Sequence, residues 1–156
     1  MKALTLYQPW ASLIPPGWKK IETRSWSTKY RGPLAIHAAK DQQYWTVVAH
    51  DEPFRSVLME SRLFRQYDLP YGAVVAVCNL VDCVKVIGLT RLEGRPVRAL
   101  LENGQIVEGN ELAFGDYTPG RFAWILKDAR PLHTPIPAKG KQGLWTWEPP
   151  EGVTTC

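Results

Sequence analysis

Six or so short apolar segments, parted by Gly- and Pro-bearing turns and broken by one helical stretch, predict a mainly β, α+β fold. The expected architecture is a small, mostly antiparallel β-barrel with flanking helices. At 156 residues the chain suits one domain with its own core. No apolar run approaches the roughly 20 residues that span a bilayer. The domain is expected over residues 1–148, with 149–156 a loose tail.

In order, Ala3 to Tyr7 alternates weakly and reads as a strand. Gln8 to Pro15 reads as a short helix or turn burying Trp10, Leu13 and Ile14. Pro15-Pro16-Gly17 stops it, because Pro lacks a donor and Gly permits positive φ. Lys19 to Arg24 and Leu34 to Ala39 are strands on either side of the Arg31-Gly32-Pro33 turn. Asp41 to Gln66 is helical, with Tyr44, Val47 and Val48, then Phe54, Val57 and Leu58, on a 3.6 period. Pro53 begins a second helix there, with Asp51 a candidate cap. Ala73 to Leu89, rich in Val and Ile, is one long strand or two bent ones. Residues 91–113 are the least patterned, with a short helix placed at 97–102. Phe122 to Leu126 and Ala129 to Ile136 are strands, the latter interrupted by prolines. Gly140-Lys141-Gln142-Gly143 is a flexible loop before Leu144 to Trp147.

The net charge of +4 conceals an asymmetry. Residues 1–40 hold seven Lys and Arg against Glu22 alone, a net +6. Residues 41–118 hold seven basic and eleven acidic side chains, a net −4, while 119–142 return to +4. If the two basic segments meet, they make one positive face, which favours a polyanion or a phosphate-bearing ligand. Equally, the charges could merely solvate exposed strands.

Cys78, Cys83 and Cys156 are an odd number without Cys-x-x-Cys spacing, which fits a reduced, cytoplasmic protein. The N-terminus has no apolar h-region, so no signal peptide is expected. His37, His50 and His133 are far apart, and no His/Cys/Asp grouping has metal-ligand spacing, so neither a metal nor a cofactor is expected. His37, in an apolar strand, reads as a core residue before an acid or base.

The densest chemistry lies in Gly17-Trp18-Lys19-Lys20-Ile21-Glu22-Thr23-Arg24. It follows Gln8-Pro9-Trp10 and precedes Trp26. Cations, one carboxylate and flat rings in one short stretch suit a site for a base or nucleotide.

These residues also carry a family resemblance. The pattern Gly-x-Lys-x-x-Glu-x-Arg stands complete at Gly17, Lys19, Glu22 and Arg24, and resembles the signature of the ASCH domain family. The flanks Leu4 to Ala11 and Leu34 to Ala38, the run Gly72 to Val77, and Phe114 to Tyr117 with Gly120 to Trp124 resemble it too. The likeness covers nearly everything from 3 to 147. It implies a PUA-like β-barrel, and a cleft beside the signature that binds RNA or nucleotides. A bacterial branch of the family hydrolyses N4-acetylcytidine with the signature Lys, a Thr and a Glu, and another bacterial member is a ribonuclease. The branch's Lys maps to Lys19, but its Thr falls on Glu22, a departure from that mechanism.

Lys19 is expected at the cleft mouth, as a phosphate ligand, a base or a nucleophile. Glu22 could accept from a base amino group or move a proton. Arg24 could clamp a phosphate or simply pair with Glu22. Of Trp10, Trp18, Trp26, Trp124, Trp145 and Trp147, most should be core, with Trp10 and Trp26 the best stacking platforms.

The leading expectation is a monomeric RNA- or nucleotide-binding domain. Its partner would be RNA, another single-stranded nucleic acid or a modified nucleoside. Gln8, Trp10, Gly17, Lys19, Glu22, Arg24 and Trp26 would line the cleft, with Arg121 and Lys141 as outer phosphate contacts. The rival is a small hydrolase, an amidohydrolase or a metal-independent ribonuclease, with Lys19 and Glu22 catalytic. A third reading is a protein-interaction module.

Overall fold

A computed structural model describes residues 1–63 and 65–152 of the chain. Cys156 and the end of the expected tail lie outside the described residues. The strands are β1 (Lys2–Leu6), β2 (Ile21–Arg24), β3 (Gly32–Ala38), β4 (Ala73–Leu92), β5 (Arg95–Leu101), β6 (Ile106–Val107), β7 (Phe122–Pro137) and β8 (Leu144–Thr146). The α-helices are α1 (Trp10–Leu13), α2 (Trp45–Val48), α3 (Phe54–Glu60) and α4 (Gly109–Ala113).

The hydrogen-bonded order is β2-β7-β4-β3-β1-β8, with β5 on the far half of β4 and β6 on β5. Pairing is antiparallel except between β1 and β3. The path runs open from β2 to β8, so the predicted barrel is a small mixed sheet whose ladder does not close. Ala73 to Leu92 is a single strand, and three register shifts against β7 bend it. Bulges of this kind raise local twist and let one long strand serve two pairings.

Leu34, Ile36 and Ala38 of β3 face the main core with Leu4, Leu6 and Trp124. Ala35 lies on the other face with Trp145 and Trp147. That two-sided cover explains why β3 reads as a continuous apolar run rather than an alternating one. The helical insertion forms its own cluster of Trp45, Phe54, Val57 and Leu58, anchored to the body through Leu13 and Phe114.

Three local expectations change. Residues 97–102 are not helical: Arg95–Leu101 is β5, paired with β4. Around α2 the buried side chains are Trp45 and Ala49, whereas Tyr44 and Val47 are exposed. Two successive rings at 44 and 45 made the helix phase ambiguous, and the docking of Trp45 against the insertion core decided it. Asp51 does not cap α3 through its side chain; the Glu52 carboxylate accepts from Ser56 N instead, at 3.3 Å. Among the described residues no helix is long and apolar enough to cross a membrane.

Candidate functional site

The site is built on the turn that follows α1. Gly17 N donates to Ile14 O and Lys19 N to Leu13 O, both at 3.0 Å. Gly17 has φ +82°, a conformation that strains any L side chain. The turn directs Lys19 inward, where it is only 1% exposed. Its ammonium donates to the carbonyls of Ile21 and Phe114 and lies 3.3 Å from Glu22 Oε2.

Alternation along β2 buries Ile21 and Thr23 and turns Glu22 and Arg24 to the other face. Arg24 Nε lies 3.1 Å from Glu22 Oε1, and Arg24 Nη2 donates to Thr5 O at 2.8 Å. Glu22 is therefore clamped between two cations, each also held by main-chain carbonyls. The Arg24 bond to Thr5 joins edge strand β2 to the end of β1, across a seam the backbone ladder leaves open.

A second carboxylate supports this strand. Glu111, on α4, accepts from Lys20 N at 2.9 Å and Ile21 N at 3.0 Å. Burial raises its pKa above the usual carboxylate range, against the lowering pull of those bonds and of Lys19 and Lys20. Tyr117 is buried nearby, and its hydroxyl has no hydrogen-bond partner among the described residues. Burial, then the charges of Glu111 and Glu22, push its pKa up.

Two clefts open at the seam. The smaller, of about 540 Å³, is lined by Glu22, Arg24 and Arg121 with Tyr7, Trp10 and Trp26 among its aromatic walls. The larger, of about 1250 Å³, is lined by Arg24, His37, Lys40, Lys139 and Lys141, again with Tyr7 and Trp26. The two basic segments of the sequence thus meet, Lys40 from the first facing Lys139 and Lys141 from the second across one opening.

The placement of the expected site residues divides in three. Trp10, Glu22, Arg24 and Trp26 line the smaller cleft together with Arg121, while Lys141 belongs to the larger one. Gln8, Gly17 and Lys19 line neither. Gln8 is consumed internally: Nε2 donates to Ser12 Oγ at 2.7 Å and Pro70 O at 2.8 Å, and Oε1 accepts from Ser12 N at 3.1 Å. The expectation of Lys19 at the cleft mouth is corrected, because its side chain is buried, with the ammonium turned onto the carbonyls of Ile21 and Phe114 and onto the inner side of Glu22. Tyr7 and Glu111 were missed. Tyr7 stands next to Gln8-Pro9-Trp10 but carries no pattern of its own, and Glu111 lies in the least patterned segment.

His37, 2% exposed, donates from Nε2 to Ala138 O at 2.9 Å and packs edge-on against Trp145. That bond puts the proton on Nε2 and leaves Nδ1 as a lone-pair acceptor, with no hydrogen-bond partner among the described residues. Burial holds its pKa below the ordinary 6.5, partly offset by the Ala138 bond. The unfolded chain therefore takes up a proton that the folded chain refuses as pH falls below 6.5. This stability is complete above that value and is lost as pH falls toward the depressed folded pKa. In urea melts between pH 7.5 and 5, His37→Gln is expected to flatten the acid limb. An unchanged slope would remove His37 as its source.

The ASCH domain model matches residues 4–135. This chain belongs to the ASCH domain family. The ASCH chain is 33% identical over 145 residues to the mouse protein Activating signal cointegrator 1, covering 91% of this chain and 21% of that protein. It is also 33% identical over 81 residues to the human Activating signal cointegrator 1, covering 52% of this chain and 14% of that protein. The chain thus spans about a fifth of the length of the mouse relative. A solved structure of a ZmASCH point mutant from Zymomonas mobilis aligns over 96% of this chain and 91% of that one, at 17% identity and a TM-score of 0.48. In this ASCH domain the four signature residues divide their work: Gly17 makes the turn, Lys19 anchors Glu22 from below, and Glu22 and Arg24 face the cleft.

Proposed function

We propose that this ASCH domain binds single-stranded RNA or an RNA nucleotide, with the base in the smaller cleft. The carrying observation is the clamped Glu22 carboxylate, 13% exposed between two cations and flanked by Trp10, Trp26 and Tyr7. A carboxylate fixed in this way accepts from an exocyclic base amino group without having to be ordered on binding. Flat rings beside it stack bases of any identity. Arg24 and Arg121 supply cations for the backbone.

The same geometry weighs against the hydrolase reading. That reading needs Lys19 as base, nucleophile or charge stabiliser. Its nitrogen is engaged by two carbonyls and Glu22, and it reaches neither cleft.

The test is titration of a labelled mixed-sequence RNA 12-mer at two salt concentrations, with N4-acetylcytidine incubated in parallel. Binding should weaken steeply with salt, and Trp26→Ala should weaken it roughly 5- to 150-fold, the range of about 1–3 kcal/mol for one stacked base. Release of cytidine, or cutting of the RNA, would replace the binding reading with an enzymatic one.

A further inference from the structure

The two clefts share one wall. Leu6, Tyr7, Arg24 and Trp26 line both, so a ridge carrying one guanidinium and two rings separates them. We propose that the clefts are consecutive nucleotide subsites on one single strand, and that Arg24 holds the phosphodiester where the strand crosses the ridge. This rests on the nucleic-acid reading above and adds the minimum size of the ligand and its path over the ridge.

The charges on the two sides differ in kind. In the smaller cleft every carboxylate is answered: Glu22 by Lys19 and Arg24, and Asp116 by Arg121 at 3.4 Å. Such a pocket is polar but balanced, and suits a base. In the larger cleft Lys40, Lys139 and Lys141 face one acid, Asp41, and none of the three ammonium groups is paired with a carboxylate among the described residues. Uncompensated cations around a concave wall attract phosphate. The larger cleft therefore takes the phosphate-rich continuation of the strand.

Arg24 is prepared for the position between them. Nε faces Glu22 and one Nη2 bond goes to Thr5 O, so the side chain is held at two points. Among the described residues Nη1 makes no hydrogen bond and Nε meets Glu22 only as an ion pair, which leaves donor capacity on a fixed, planar group to a phosphate. His37 Nδ1 lies buried behind the wall of the larger cleft, covered by Gly140. A Cβ on Gly140 would come within 2.7 Å of that nitrogen, so only glycine lets the 139–143 loop lie so close.

Charge alone cannot mimic the expected result. A dinucleoside monophosphate carries one negative charge, fewer than a nucleoside 5′-monophosphate. The experiment measures calorimetric affinities for ApA, CpC, GpG and UpU, their deoxy counterparts, and the matching 5′-monophosphates. At least one dinucleoside monophosphate should bind tenfold or more tightly than its mononucleotide, despite its lower charge. The ribo and deoxy arms separate RNA from DNA as the source of that phosphodiester. A Lys139→Ala/Lys141→Ala double variant should weaken a 12-mer RNA tenfold or more. A 12-mer that binds while dinucleotides show no preference, or that ignores the double variant, overturns the two-subsite arrangement and leaves the binding reading standing. No binding of any 12-mer at low salt overturns both.

Discussion

Lys19→Ala is expected to destabilise the domain by about 3–5 kcal/mol, the usual range when one partner of a buried ion pair is removed. The loss has three parts. Glu22 keeps only Arg24, and the carbonyls of Ile21 and Phe114 lose their charged donor. The long aliphatic stem also leaves a void, since Lys19 is among the largest fully buried side chains of the fold. For a chain of this size such a loss lowers the thermal midpoint by roughly 10 °C. Lys19→Met restores the packing but not the donor, and should fall between wild type and alanine. Melts of the three proteins decide the matter. An alanine variant as stable as wild type would place Lys19 at the surface and return it to candidacy as a catalytic group. The corollary is practical: lost activity in Lys19→Ala reports on folding as much as on chemistry.

The second large effect falls on binding. Arg24→Ala should weaken a 12-mer RNA tenfold or more, because charge-assisted hydrogen bonds contribute about 1.5–3 kcal/mol each. The slope of log affinity against log salt should also become shallower by about one unit. Arg24→Lys separates charge from geometry. A lysine keeps the charge, so the salt slope should return, but it lacks the planar fork that meets Glu22, Thr5 O and a ligand together. Affinity should therefore stay low. If Arg24→Lys binds like wild type, the guanidinium is only a point charge and the ridge has no special geometry.

Much of the fold was legible because the local signals were strong. Proline and glycine closed α1, weak alternation marked β1, an apolar run marked β3, and a run rich in Val and Ile marked β4. The unpatterned segment 91–113 failed for the converse reason. Its strand β5 lies at the exposed far end of β4, where few side chains need burial, so periodicity carries little information. Glu111 was lost with it. Its role depends on α4 docking against the start of β2, a contact 90 residues distant in sequence.

The signature residues, the membership of the ASCH family, the aromatic candidates and the two basic segments follow from the sequence by itself, since each is a matter of residue type and local spacing. Which charges are buried and which are free was decided by the tertiary structure. Lys19 and Arg24 carry the same formal charge five positions apart. The turn at Gly17 sends one onto interior carbonyls, and strand parity sends the other to the ridge between two clefts. Burial and distance to distant backbone atoms set that difference, and neither is encoded in a local window of sequence.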